Sequence, residues 1–366
     1  MPAKRITIRD VAKKANVSIK TVSNVINDRD DQMRPGTKSR VERVIKELGY
    51  QVNRSARALK TGKTKVLGLA MPDFDQPFIG FLVNAFNEAA HRRGYATVSS
   101  LFGFSTDRRR DFADSIPRIN ADGWAYLFEE PFDSESPLFQ QNVPLVLISD
   151  YSSAGMYDII AMPNTESCQY LTNTLFDQGC SSIGFIGAPE SLCEKTGADE
   201  AQLERTIVNA TDGNSILRLK GYALAHLQHK KAIPWNLIIP TKHITSFDGV
   251  TATYNLLRNR VLPDAVICVN DAVAMGVVST LARNGISIPE QIRICGFDNI
   301  PESEISAPPL TTINFHIEQF AQLTVDALVS RINGNQEPAN TFTSSFNLIE
   351  RESTRIRRPS QRCGDC

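Results

Sequence analysis

Residues 17–28 read VSIKTVSNVIND. Val22, Val25 and Ile26 fall at i, i+3 and i+4, the spacing that gathers apolar side chains on one face of a helix. At about 100° per residue, Ile19, Lys20, Ser23 and Asn24 gather on the opposite side. Ser18 stands where an N-cap belongs. The stretch predicts a short helix with one buried stripe and an outward face rich in hydrogen-bonding groups. Upstream, Thr7 with Asp10 three residues on predicts a capped start, and Ile8, Val11, Ala12 and Ala15 recur at helical spacing up to Asn16. Downstream, Val41, Val44, Ile45 and Leu48 predict a third helix, with Pro35 in its first turn and Gly49 as its stop. Two short helices around a tight turn at 15–17, braced by a third, make a helix-turn-helix. The second helix of that motif enters the DNA major groove.

The charge distribution fits such a head. The 366 residues carry no net charge, but residues 1–65 hold seventeen Lys and Arg against six Asp and Glu, a charge of +11 balanced by −11 in the rest. A basic segment that neutralises phosphates releases their condensed counterions, which is the electrostatic footprint of a nucleic-acid module. With 42% hydrophobic residues, the chain is long enough for two or three domains. No run of about 18 apolar residues predicts a membrane span, and the opening MPAKRITIRD lacks the apolar core of a signal peptide, so a cytoplasmic location is expected. Seven scattered cysteines suit reduced thiols better than a disulfide framework, and the terminal CGDC reads as an exposed tail ahead of a metal or redox site.

From residue 66 the pattern changes. VLGLAM, ATVSS, GWAYLF, LVLI, SIGFIG, AVICVN and IRICGF are short apolar runs separated by helical-length segments, which predicts an α/β fold with parallel sheets. Two similar series open at Val66 and Ser182, so two subdomains are expected, with ligand bound in the cleft between them at the carboxyl ends of strands. Asp75, Ser149, Asn270, Asp271 and Asp298 follow such strands. Together with a planar guanidinium they suit a polyol, whose hydroxyls need paired donors and acceptors. Asp271 is expected to cap the helix that follows it, and Phe78 to pack on ligand or on core.

ITIRDVAKKANVSIKTVSNVIND and ELGYQVNRSARALKTGKTKVLGL resemble the head, hinge and first core strand of the lactose-repressor/galactose-repressor (LacI/GalR) family of bacterial transcription regulators. PPLTTINFHI and LIERESTRIRRP extend the resemblance over nearly the whole chain. The resemblance implies a helix-turn-helix head at 1–52, a hinge helix and linker at 53–65, and a periplasmic-binding-protein-like core at 66–366. Within the core it implies Rossmann-like subdomains near 66–162 and 163–294, with crossovers near 295–350. It implies that Ile19 and Lys20 select the operator and that Thr21, Ser23 and Asn24 add base or phosphate contacts. Thr7, Ser18, Asn27, Tyr50 and Asn53 then fall on backbone-positioning or groove-facing positions. Arg54 lies near phosphate, and Leu59 wedges into the minor groove of a palindromic operator. Arg218, Asn270 and Asp298 match effector-contacting positions, for which a sugar is the default ligand and purines, nucleosides or a phosphoprotein partner are alternatives.

Three departures from the family pattern stand out. Asn24 replaces a common arginine, Ser149 a common aspartate, and residues 191–217 form an insertion expected to act as a lid or rim. That insertion contains Arg205, a rival for the effector-binding arginine. No Gly-x-Ser-x-Gly elbow, His-Glu-x-x-His, phosphate-cradling loop or dinucleotide fingerprint occurs, so neither catalytic activity nor a cofactor is expected. His226 and His229 read as a solvated helix face ahead of a metal pair. The expected molecule is a homodimeric regulator, most readily a repressor. A sugar transport protein is disfavoured by the basic head, and an enzyme with a DNA-binding appendage would need a catalytic group in the cleft.

Overall fold

The computed structural model describes residues 6–26, 35–50, 62–193, 199–259 and 262–355. The chain divides into two compact units, Met1–Thr64 and Lys65–Cys366.

The first unit contains helices α1 (Ile8–Ala15), α2 (Ile19–Ile26) and α3 (Pro35–Leu48). The Thr7 backbone N–H and hydroxyl both donate to Asp10 Oδ2, at 2.8 and 2.7 Å, so the capped start forms as the sequence predicts. Asn16 ends α1 in the left-handed region at φ 50°, which Asn tolerates better than most residues. Ser18 Oγ then accepts the Thr21 N–H at 3.0 Å, starting α2. Val11, Ala12, Ala15, Val22, Val25, Val41 and Val44 form a small buried core, with Ile26 and Tyr50 half-buried against it. An exposed Lys14–Glu47 ion pair at 3.1 Å joins α1 to α3.

The second unit holds two six-stranded sheets. Strands β1 (Val66–Met71), β2 (Ala96–Leu101), β3 (Gly123–Leu127), β4 (Leu145–Ile148) and β5 (Asp158–Ala161) alternate with α4 (Pro77–Arg92) and α5 (Thr106–Ile119). The chain then crosses to α6 (Asn164–Asp177), β6 (Ile183–Pro189), α7 (Glu190–Cys193), α8 (Glu200–Val208), α9 (Asn214–Gln228) and β7 (Ile238–Thr241). It continues through α10 (Ser246–Leu257), β8 (Ala265–Cys268), α11 (Asp271–Arg283), β9 (Arg293–Phe297), α12 (Pro301–Ile305) and β10 (Thr311–Asn314). It returns to the first sheet with α13 (Ile317–Ile332) and β11 (Thr341–Thr343), and crosses once more to β12 (Asn347–Ile349). The orders are β11-β5-β4-β3-β1-β2 and β12-β10-β9-β8-β6-β7, parallel throughout except for antiparallel β12 at an edge.

Strand alternation builds the first subdomain. Leu67, Leu69, Ala125 and Leu127 face α4 and α13, while Ala70, Trp124 and Tyr126 face an aromatic cluster with Phe112 of α5 and Phe139. Gly68 makes room for this packing, since a Cβ there would lie 2.1 Å from the Trp124 ring. The second sheet is enclosed by one continuous core that includes the buried thiols Cys168, Cys180, Cys268 and Cys295. The terminal CGDC lies outside the described residues. Among the described residues, no helix is long and apolar enough to cross a membrane.

Candidate functional site

In the head, α2 presents the predicted outward face. Ile19 is 45% exposed, Lys20 is exposed, and Thr21, Ser23 and Asn24 are half-exposed. An exposed isoleucine on a helix whose Val22 and Val25 are fully packed gives nothing to the head's own core. Thr7 and Ser18 are engaged as caps, and Tyr50 packs its ring on the head core. Asn27, Asn53, Arg54 and Leu59 lie outside the described residues.

In the core, the carboxyl ends of both sheets meet at a cleft. An inner cavity of about 40 Å³ is lined by Phe78, Ser149, Arg218, Asn270 and Asp298, five of the six residues predicted to contact effector. Asp75, the sixth, lines an outer vestibule of about 510 Å³. It is exposed, in a tight turn where its N–H donates to Asp73 Oδ1 at 2.9 Å.

Arg218 is the centre of the cavity. It is 1% exposed on α9, and a guanidinium buried so deeply demands partners. Nε donates to Asn164 Oδ1 at 2.8 Å, Nη1 donates to the Val269 carbonyl, and Nη2 lies 3.5 Å from Asp298 Oδ1. Its guanidinium carbon lies over the Phe297 and Phe315 rings, 4.5 and 5.3 Å from their centroids. Asp298 leaves β9 with φ 102°, a backbone region that side chains other than glycine avoid. Burial, with a smaller contribution from Asp150, raises its pKa to about 6 against the lowering effect of Arg218.

The helix cap differs from the sequence expectation. Asn270, not Asp271, caps α11: its Oδ1 accepts the Val273 N–H at 2.8 Å, and its Nδ2 donates to the Ile244 carbonyl at 2.9 Å. Asp271 is the first helical residue and is fully buried, accepting from Thr312 Oγ1 at 2.7 Å and the Ile300 N–H at 3.1 Å. It therefore fixes the loop that carries Asp298. The solvated-face reading of His226 is also corrected. Its ring is 2% exposed, packed against Tyr222 and Phe176, with Nδ1 3.0 Å from the Tyr222 carbonyl, and burial lowers its pKa to about 4.

Glu129, Asp150, Asn214 and Gln76 also line the cavity and were not singled out from sequence. Glu129 and Asp150 lie just beyond β3 and β4, so the strand-end rule that found Ser149 would have found both. Asp150, one residue on from Ser149, brings into the cavity the carboxylate that Ser149 lacks. Glu129 keeps contact with solvent in the cleft. Desolvation by the surrounding protein, then the carboxylates of Asp150, Asp73 and Asp298, nevertheless push its pKa up to about 7 against Arg218.

The 191–217 insertion contributes Gly213, Asn214, Ser215 and Ile216 to the vestibule wall. It also reaches the first subdomain: Ser152 N–H donates to Asp212 Oδ1, and Gly213 N–H to the Asp150 carbonyl, both at 2.8 Å. Arg205, in the last turn of α8, lines neither space.

Comparison with known proteins places this architecture. Residues 7–53 match the bacterial regulatory proteins of the lacI family, and residues 172–354 match the periplasmic binding protein-like domain. The HTH-type transcriptional repressor PurR of Glaesserella parasuis serovar 5 (strain SH0165) is 30% identical over 95% of this chain and 98% of its own length. A LacI-type transcription regulator from Bifidobacterium animalis subsp. lactis DSM 10140 is 35% identical, covering 80% of this chain and all of that one, with a TM-score of 0.73. The transcriptional regulator CelR in complex with cellobiose is 25% identical over 95% of this chain and all of its own, with a TM-score of 0.67. With a PurR relative at this identity along almost its whole length, and with the head and core each matching in turn, the chain belongs to the lacI family of bacterial regulatory proteins.

Proposed function

We propose that the protein is a sequence-specific transcriptional repressor that binds a palindromic operator as a homodimer and is controlled by a sugar or sugar derivative in the core cleft. The observation that carries this reading is the α2 surface. Ile19, Lys20, Ser23 and Asn24 face away from the packed valines, in a segment whose charge is +11. Ile19 and Lys20 read base edges, while Thr21, Ser23 and Asn24 add base or phosphate contacts. Thr7, Ser18, Asn27, Tyr50 and Asn53 set the register of the head on the duplex, and Arg54 adds a phosphate contact. Leu59 opens the central base step, at a cost of a few kcal/mol that the bent complex offsets.

Control is a coupling free energy. The effector must prefer one arrangement of the two core subdomains, and that arrangement must permit or forbid pairing of the hinge segments of two subunits. Arg218, Asn270 and Asp298 hold the effector, with Phe78 against its apolar face and Ser149 and Asp75 at its edges. The cellobiose bound to CelR supports a sugar in this place, and the name of the PurR relative supports repression. The protein then works in the cytoplasm, beside its DNA.

The test is selection of randomised duplexes by the purified full chain at moderate salt, read by sequencing. A two-fold palindrome with an easily unstacked centre is the expected product. Recovery of sequences with no shared motif, with and without candidate sugars, would overturn the operator reading.

A further inference from the structure

We infer that the effector presents a protonated amine to Glu129 and Asp150, which makes its class an amino sugar rather than a neutral one. The inference rests on the effector reading above and narrows the ligand of the same cleft. Three carboxylates, Glu129, Asp150 and Asp298, line the inner cavity with a single guanidinium, Arg218. Arg218 already pairs with Asp298 at 3.5 Å and is held by Asn164 and Val269. Its charge also bears on Asp150 and Glu129, so one cation faces three carboxylates and the cavity keeps an excess of negative charge.

The unused hydrogen-bonding capacity of the cavity points the same way. Asn270 spends its carbonyl on Val273 and its amide on Ile244. Ser149 Oγ accepts the Tyr151 N–H at 3.0 Å. Asn214 Oδ1 is buried and has no partner, and a carboxylate such as Glu129 can only accept. Asp150 already accepts from the Met162 N–H and from the Asn164 and Asn214 side chains, so the acceptor capacity left over is that of Glu129 and of Asn214 Oδ1, beside the Asp150 charge. An ammonium group is the complement: three donors, no acceptor, one positive charge. A hydroxyl brings one donor and no charge, leaving the carboxylates to repel each other. Phe78 and Phe320 give the inner cavity an apolar wall, and the vestibule of about 510 Å³, which Glu129, Asp150 and Asn214 also line, has room for the body of a ring. The vestibule beyond does not supply the missing charge, since Asp73, Asp75 and Glu190 line it as well as Lys242 and His243.

Binding of matched sugars to the full-length protein tests the inference. The probes are D-glucose, D-glucosamine and N-acetyl-D-glucosamine, with cellobiose, the β-1,4 dimer of glucosamine and its diacetylated form as the disaccharide set. Titration calorimetry at neutral pH is expected to favour an amine over both its neutral parent and its N-acetyl form by at least about tenfold. Glu129→Gln, which keeps the shape and removes the charge, should bring that ratio close to one. The same substitution should raise the melting temperature of the ligand-free protein at pH 8, because it relieves carboxylate repulsion. This readout reports on the variant's fold independently of ligand. Equal or tighter binding of the neutral or N-acetyl forms would overturn the amine inference while leaving the effector cleft in place. Absence of binding by every amine would also overturn it, with the duplex selection deciding the regulatory reading on its own.

Discussion

At the scale of single residues, burial decides roles that spacing alone left open. His226 lies in the last turn of α9 and His229 just past its end, and a segment of that composition, AHLQHKK, reads as a solvated face. The structure packs His226 between Tyr222 and Phe176 instead. Its pKa falls from the ordinary 6.5 to about 4 because burial disfavours the imidazolium. The unfolded chain then binds more protons than the folded one between those two values. His226 stabilises the fold fully above about pH 6.5, and that contribution is lost as pH falls towards 4. Between pH 7 and 5 we expect it to account for roughly 1–2 kcal/mol of lost stability. Urea denaturation of wild type and His226→Phe at both pH values checks this. The variant should lose clearly less stability on acidification, and equal losses would place the acid sensitivity elsewhere.

The same lesson applies to the site residues. Arg218, Asn270 and Asp298 were legible because the chain resembles a family in which those positions touch effector, and because strand ends are where such cores bind ligands. Glu129 and Asp150 are equally close to strand ends but carry no part of the family resemblance. Their importance is a property of the cavity, where three carboxylates and one guanidinium converge from separate segments, and no local sequence pattern encodes that convergence.

At the scale of elements, the head was readable almost in full, since three short helices are specified by local caps and i, i+3, i+4 spacing. Thr7–Asp10, Asn16 and Ser18 all act where the sequence places them. Seven core strands were legible as apolar runs. The strands at 158–161, 238–241, 311–314, 341–343 and 347–349 are short and, unlike the equally short LVLI and AVIC, are broken by polar residues or proline or are only three residues long, so they lack an apolar run that sets them apart from loops. The return of α13 and β11 to the first sheet is a long-range pairing fixed by a partly buried ion pair. Asp158 accepts from Arg331 Nε at 2.6 Å and Nη2 at 2.7 Å, and from the Asn340 N–H at 2.9 Å, which seats β11 beside β5. Removing Asp158 leaves the partly exposed Arg331 to its carbonyl partners and to solvent, and leaves the Asn340 N–H without its acceptor. Asp158→Ala should therefore destabilise the core by about 1–2 kcal/mol in urea denaturation. A loss below about 0.5 kcal/mol, the worth of an exposed pair, would contradict this anchoring role.

At the scale of the whole molecule, three chain crossings join the core subdomains, at 161–164, 314–317 and 343–347. Arg218 and Asn164 tie the cleft floor to the first of these crossings. Asp212 and Gly213 bring the insertion onto the 150–152 loop of the opposite subdomain. An effector that fills the cavity thus bears on groups from both subdomains at once, which is the differential contact that coupling requires. The central claim is that occupancy of this cleft sets DNA affinity. Its most direct test is the affinity of the full chain for its selected palindrome, followed by fluorescence anisotropy, with and without a saturating small molecule that raises the melting temperature of the core. The account predicts a change of at least about tenfold, a coupling of 1.4 kcal/mol or more. A molecule that binds the cleft and stabilises the core yet leaves operator affinity unchanged would contradict it.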